Sequence, residues 1–185
     1  MLITLPCIDI KCFCKGHAQG ELWALAPSPV NTNVVATASD DKTVRLWDLQ
    51  QKRILKCRQL SASIRSCAFS VDAKQLACGL SDGKLVILNV EGEMKVVHET
   101  KDKFTEVLHE MKYSPDGKYL AVGSNDTTVY ILSTQNYQKV VAKFTKNSSS
   151  ITHLDWSKDS RFVLTNAADG ANLVFQADSK FGFKF

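Results

Sequence analysis

One pattern recurs at a nearly fixed spacing along this 185-residue chain. Small or polar residues lead to an Asp, one spacer follows, and then comes an alternating apolar run. The four copies read ASDDKTVRLWDL, GLSDGKLVILNV, GSNDTTVYILST and NAADGANLVFQA, with the shared carboxylate at Asp41, Asp82, Asp126 and Asp169. The steps are 41, 44 and 43 residues. A second register runs through CAFSVDAKQLACG, MKYSPDGKYLAVG and LDWSKDSRFVLTN, aligned on Ser70, Ser114 and Ser157. In SPDGK, Pro115 presets one backbone dihedral and Gly117 accepts positive φ without steric cost, so this segment reads as a tight turn. Each unit is therefore strand, turn, strand, Asp turn, strand. RILKC, MKVVH and KVVAKF supply a fourth strand after the first three copies. Alternation and β-branched content argue for strands throughout.

A period of about 40–45 residues with four strands per unit is that of a WD40 β-propeller blade. The fold expected is all-β, with four recognisable four-stranded blades at residues 16–59, 60–99, 100–145 and 146–185. Residues 10–15 read as the outer strand of a preceding blade, and FGFKF at the end as a last strand or a tail. Four repeats against the seven common in such propellers favour an excerpt of a larger or tandem propeller. Its bare blade faces would invite self-association.

In a WD40 blade the Asp turn joins the second and third strands. Here Asp41 can accept from His17 of the GH pair. His17 can meet a hydroxyl, Thr37 or Ser39, and that hydroxyl can meet the indole N–H of Trp47. A network of this kind specifies one geometry because buried polar groups must be paired. The other repeats lack GH and carry Leu88, Leu132 and Phe175 at the Trp position. They are expected to rely on apolar packing, while Asp82, Asp126 and Asp169 keep a turn role through nearby backbone N–H groups.

GHAQGELWALAPSP, MKYSPDGKYLAVGSNDTTVYI (Met111 to Ile131) and SSITHLDWS (Ser149 to Ser157) resemble the echinoderm microtubule-associated protein-like family. The specific part is ELW at Glu21 to Trp23 and ITHLDW at Ile151 to Trp156, which the blade itself does not demand. The resemblance covers roughly residues 10 to 176 and is to part of the second of two joined propellers. It implies microtubule association and scaffolding rather than catalysis, in the cytoplasm and on the cytoskeleton. The coiled-coil segment and the hydrophobic motif of that family are not among these residues.

Other chemistries find little support. Cys12, Cys14 and His17 form C-x-C-x-x-H, but a zinc site needs four ligands and commonly a C-x2–4-C pair. The thiols read as small buried hydrophobes, and no metal or cofactor is expected. GLSDGKL fails as a phosphate loop, since Cys78 and Leu85 stand where Gly and Ser or Thr are needed. There is no G-x-S-x-G elbow. His153 and Asp155 share a strand face and read as a polar pair or part of the ITHLDW packing unit. Trp23 and Trp156, both on first strands, are expected in packing between blades, the alternative being exposed anchors for a ligand peptide.

A net charge of +4 is too mild to argue for nucleic acid. No apolar run reaches the ~20 residues of a membrane helix, and no small-molecule substrate is implied. Charge is segregated, however: residues 42–65 hold seven bases and one acid, and residues 91–110 six acids and three bases. Lys52, Arg53, Lys56 and Arg58 read as a charged edge strand or a contact for an acidic partner such as tubulin. On the loops that lead into the blades and on the Asp turns, Glu21, Asp40, Lys103, Asn147 and Ser148 are the candidate partner-binding residues. A protein-interaction module, with tubulin or microtubules as the first partner class, is the reading that results. A general WD40 adaptor of the ciliary transport or ubiquitin-ligase type is the alternative.

Overall fold

In a computed structural model of the chain, the structure describes residues 16–17, 20–100 and 104–177. These residues form fifteen strands. Among them there is no helix, and so none long and apolar enough to cross a membrane. Blade 1 comprises β1 (Leu22–Pro27), β2 (Val34–Ser39), β3 (Thr43–Asp48) and β4 (Arg53–Gln59). Blade 2 comprises β5 (Ile64–Phe69), β6 (Gln75–Leu80), β7 (Leu85–Asn89) and β8 (Val96–Glu99). Blade 3 comprises β9 (Leu108–Tyr113), β10 (Tyr119–Ser124), β11 (Val129–Ser133) and β12 (Asn136–Phe144). Blade 4 has three strands among the described residues, β13 (Ile151–Trp156), β14 (Phe162–Ala167) and β15 (Asn172–Gln176). The strands read at residues 10–15 and in FGFKF fall outside the described residues. Every sheet is an antiparallel meander in chain order.

The turn between the first two strands of a blade is set by one Ser. In blade 2 the Ser70 hydroxyl donates to Asp72 Oδ1 (2.6 Å) and accepts the Gln75 N–H (2.9 Å). Ser114 and Ser157 repeat both bonds in blades 3 and 4. The turn needs one residue at positive φ, and Ala73 (56°), Gly117 (72°) and Ser160 (59°) occupy it. Only Gly117 does so without steric cost.

First strands pack on first strands, β1 on β5, β5 on β9 and β9 on β13, so they line a common axis. Three apolar clusters fill the three joints between blades. β7 and β11 are buried on both faces because a blade covers each side. At two joints a glycine admits the next blade. A Cβ on Gly79 would stand 2.8 Å from the Leu108 side chain and 2.9 Å from its carbonyl, and one on Gly123 would stand 2.7 Å from Ile151. Beside Gly79, the buried Ser66 hydroxyl donates to the Leu108 carbonyl at 2.7 Å. That bond ties two blades through their innermost strands.

Candidate functional site

The four Asp turns lie on the top face, with the loops that lead into each blade. Asp41, Asp82, Asp126 and Asp169 each accept the N–H of the residue two positions on, at 2.9, 3.2, 3.0 and 3.1 Å. In blade 1, His17 Nδ1 is 3.0 Å from both Asp41 oxygens and Nε2 is 2.8 Å from Thr37 Oγ1. Trp47 Nε1–H donates to the same hydroxyl at 2.7 Å. One tautomer satisfies everything: Nδ1–H serves Asp41, and the Thr37 O–H donates to Nε2. The hydroxyl in the relay is thus that of Thr37, while Ser39 accepts the Asp41 N–H at 3.2 Å. Thr43 and Arg45, which the motif reading missed, add bonds to Asp41 at 2.7 and 3.1 Å.

The expectation that blades 2 to 4 hold together by apolar packing alone is corrected. The second carboxylate oxygen finds a different donor in each. Lys84 reaches Asp82 at 3.2 Å, the Tyr130 hydroxyl reaches Asp126 at 2.6 Å, and the Ser148 hydroxyl bonds Asp169. In blade 4 the Thr165 hydroxyl donates to Asn147 Oδ1 at 3.0 Å, and the Asn147 amide donates to the Thr127 carbonyl at 3.1 Å. Asn147 and Ser148 therefore divide the work that His17 does alone in blade 1. Asn147 is 6% exposed, which removes it from any partner surface. Ser148 is exposed, but its hydroxyl is already engaged.

Each first strand carries one extra residue where its pairing slips. The slips fall between Leu22 and Ala24, Ile64 and Ser66, Leu108 and Glu110, and Ile151 and His153. The residues left over are Trp23, Arg65, His109 and Thr152, each five positions before the turn serine of its blade (Ser28, Ser70, Ser114, Ser157). A β-bulge re-aims a side chain, and here three of the four converge. Trp23 Nε1–H donates to Asp40 Oδ2 at 3.0 Å. The Arg65 guanidinium lies 4.3 Å from the Trp23 ring centroid, and its Nη2 is 3.1 Å from Asp40 Oδ1. That second contact is a charge contact, since no donor is aligned on Asp40 Oδ1. His109 presents its ring to Trp23 at 6.3 Å and 66°. The Trp23 side chain remains 43% exposed.

Asp40 is the anchor of this cluster. It takes the Glu21 N–H as well, at 3.2 Å. Gly20 has φ of 71° and a Cβ there would sit 2.4 Å from the Asp40 Cβ, so the approach of the loop requires glycine. The Trp23 indole hydrogen bond, with the Glu21 amide and the Arg65 charge, holds the Asp40 carboxyl below its ordinary range. Burial, and then the neighbouring Arg65 charge, lower the His109 pKa. One residue further along the strand, Glu110 faces His153 of the next blade at 3.7 Å. Burial pushes the Glu110 carboxyl up, against the pull of His153.

Several expectations change against this geometry. Trp23 meets Arg65 of blade 2 and His109 of blade 3, but it stays 43% exposed rather than buried in a joint. Trp156 does pack between blades: its ring stacks on Tyr119 at 6.4 Å and its N–H donates to the Lys112 carbonyl at 3.0 Å. His153 turns to Glu110, while Asp155 bonds the Trp156 N–H at 3.0 Å. The basic run does not form one surface. Lys52 and Arg53 are exposed, but Lys56 is half-buried and donates to the Val90 carbonyl of blade 2 at 2.5 Å. Arg58 is half-buried too, and all four lie away from the bulge cluster. Lys103, Cys12 and Cys14 lie outside the described residues. Among the described residues no cluster of His, Cys, Asp or Glu could hold a metal ion. Arg65, His109 and Glu110 were missed by motif reading, although the five-residue offset of Arg65 and His109 from their turn serines was visible in the aligned repeats.

A pairing slip at the same position of every first strand, with an Asp turn in every blade, is the mark of one repeated unit, and comparison with known proteins places that unit. The family model for the echinoderm microtubule-associated protein second beta-propeller matches residues 22–182. The chain belongs to this family. It is 35% identical over 156 residues to the Echinoderm microtubule-associated protein-like 2 of Mus musculus, covering 84% of the chain and 24% of that protein. It is 32% identical over 172 residues to the 77 kDa echinoderm microtubule-associated protein of Lytechinus variegatus, covering 92% of the chain and 26% of that protein. The chain thus spans about a quarter of the curated relatives it matches. Among solved structures, the Cps50 (Swd1) β-propeller domain of Myceliophteria thermophila superposes with a TM-score of 0.73 at 19% identity. The match covers 88% of this chain and 53% of that one, and it speaks to fold alone. In the echinoderm microtubule-associated protein family, then, this chain is a WD40-type β-propeller excerpt.

Proposed function

We propose that the chain is a non-enzymatic interaction scaffold of the cytoplasm and cytoskeleton, whose top face docks a protein partner, with tubulin in microtubules as that partner. The observation that carries the reading is Trp23: a large aromatic side chain left 43% exposed yet fixed by Asp40 and Arg65. Rigid, partly exposed Trp and Arg are the residue types that dominate binding energy at interfaces, because their ordering is already done before the partner arrives. Support for the partner class comes from relatives named as microtubule-associated proteins. Glu21 and Lys42 are exposed beside the cluster and supply its polar rim. Co-sedimentation with microtubules at low salt tests the reading. The folded chain is expected in the pellet, with Trp23→Ala weakening binding about tenfold or more. Recovery wholly in the supernatant, with the fold verified by circular dichroism, overturns it. Capture of a different complex by the same face would make the chain a general adaptor instead.

A further inference from the structure

Among the described residues, blade 2 alone carries a cysteine on each of its two inner strands, Cys67 on β5 and Cys78 on β6. The two stand directly opposite one another in the ladder. The alternation of an antiparallel ladder fixes what kind of pair they are. At the turn end, the Ser70 N–H donates to the Gln75 carbonyl at 2.9 Å, so these residues form a hydrogen-bonded pair. The register then runs without a slip from Phe69 and Leu76 back to Ser66 and Gly79. Counting back from the turn, Phe69 and Leu76 are a non-hydrogen-bonded pair, Ala68 and Ala77 a hydrogen-bonded one, and Cys67 and Cys78 non-hydrogen-bonded again. Pairs of the last kind bring their Cα atoms to about 4.5 Å, with the side chains closest together on one face of the sheet. A disulfide accepts Cα separations of about 4.4 to 6.8 Å, so the backbone here permits one.

The blade itself does not call for thiols at this position. Leu25 and Thr37 occupy it in blade 1, Met111 and Val122 in blade 3, and Leu154 and Thr165 in blade 4. Both cysteines belong to the apolar cluster at the joint of blades 1 and 2. Cys67 also lines a cavity of about 290 Å³, whose walls include Leu25 and Ala26 of blade 1 and Glu110 and Lys112 of blade 3. It is the thiol that a small solute reaches first, while Cys78 is fully buried. We propose that Cys67 and Cys78 are a modification site, oxidised by hydrogen peroxide to a disulfide across β5 and β6. The Cys67 sulfur, as thiolate, attacks one peroxide oxygen. The O–O bond breaks, and the leaving hydroxide takes up the thiol proton as water, so that Cys67 becomes a sulfenic acid. The Cys78 sulfur then attacks the Cys67 sulfur, the S–O bond breaks, and a second water leaves with the Cys78 proton. Two thiols and one peroxide give one disulfide and two waters. Burial raises the pKa of both thiols, so the first step is slow and the bond records sustained exposure to oxidant. Once closed, it ties β6 to the strand that carries Arg65 to Trp23.

Trypsin cuts after Arg65, Lys74 and Lys84, so the two cysteines fall in separate peptides, 66–74 and 75–84. The folded 185-residue chain is treated with hydrogen peroxide. Remaining thiols are then blocked with N-ethylmaleimide in urea, and the chain is digested without reductant. Mass spectrometry is expected to show the two peptides joined, two hydrogens lighter than their sum. That species should exceed either peptide joined to Cys57 by about tenfold or more, because the ladder holds only this pair in bonding geometry. The same chain oxidised in urea is expected to give mixed pairs. Cys78→Val, which installs the residue type of blade 3 (Val122), removes the joined species. Recovery of both cysteines as maleimide adducts, under peroxide that has oxidised Cys57, overturns the inference. So does Cys67 found as a sulfinic acid with Cys78 unlinked, or a folded chain that pairs as randomly as the unfolded one. None of these readouts depends on microtubule binding.

Discussion

Thr37 is the residue on which blade 1 turns. Its hydroxyl oxygen accepts from the Trp47 indole while its proton goes to His17. Trp47 is buried to 7% exposure. Thr37→Val keeps the shape and removes both bonds, at a cost of about 1–3 kcal/mol for each. A urea titration is expected to show that loss as a lower midpoint with an unchanged slope; an unchanged midpoint would mean that the network contributes nothing. Cys67 and Cys78 show the opposite extreme, where burial alone decides chemistry. Both are buried, and burial pushes the Cys67 thiol up to about 12 and the Cys78 thiol well above its ordinary value. At pH 8 the Cys67 thiolate is then about one part in ten thousand, so iodoacetamide is expected to label the exposed Cys57 far ahead of either. Peptide mass spectrometry reads the order directly.

At the scale of the element, the Ser turns carry an acid-sensitive share of stability. The Ser70 hydroxyl and the Lys74 N–H hold the Asp72 carboxyl below its ordinary value of 3.8, and the Ser157 hydroxyl and the Arg161 N–H do the same for Asp159. A carboxyl whose pKa is lower folded than unfolded binds fewer protons in the native state, so its contribution is present above pH 3.8. That contribution is lost as pH falls through the lowered folded values. The Asp72→Asn, Asp159→Asn double variant is expected to lose less stability than the parent over that acid window. A parallel decline for both proteins would show that these turns do not titrate with folding. The blades differ in how much strain the same turn stores: Ala73 and Ser160 hold the positive φ that Gly117 takes freely. That the turn persists without glycine shows that its local hydrogen bonds outweigh the steric cost, which is about 1–2 kcal/mol per residue.

Across the whole molecule, the two end faces are halves of the joint that recurs inside it. Leu22 and Leu25 on blade 1 are 56% and 69% exposed, while their repeat counterparts Ile151 and Leu154 are fully buried against blade 3. Leu164 and Val174 on blade 4 are 45% and 64% exposed, while Ala121 and Ile131 at the same positions of blade 3 are fully buried. Apolar faces of this shape, left open, drive association. Light scattering of the 185-residue chain is expected to show mass rising with concentration, and Leu164→Lys with Val174→Lys to suppress the rise. No effect of those substitutions would show that the blade 4 face is not the contact.

The repeat, the strands and the residues of the blade 1 network were legible in the chain because local patterns encode them: a period of two within strands, and turn residues at constant offsets. That reading placed His17, Thr37, Asp41 and Trp47 in one network without coordinates. It could not see that Asn147 and Ser148 replace His17 in blade 4, because different residue types meet the same hydrogen-bonding need once the backbone brings them together. Nor could it see the cluster of Trp23, Arg65 and His109, whose members come from three blades. The order of residues along the chain determined what each blade is. Which side chains face one another across the axis was decided only when first strands packed on first strands, since contact between residues more than forty apart is a property of the joint and not of either strand.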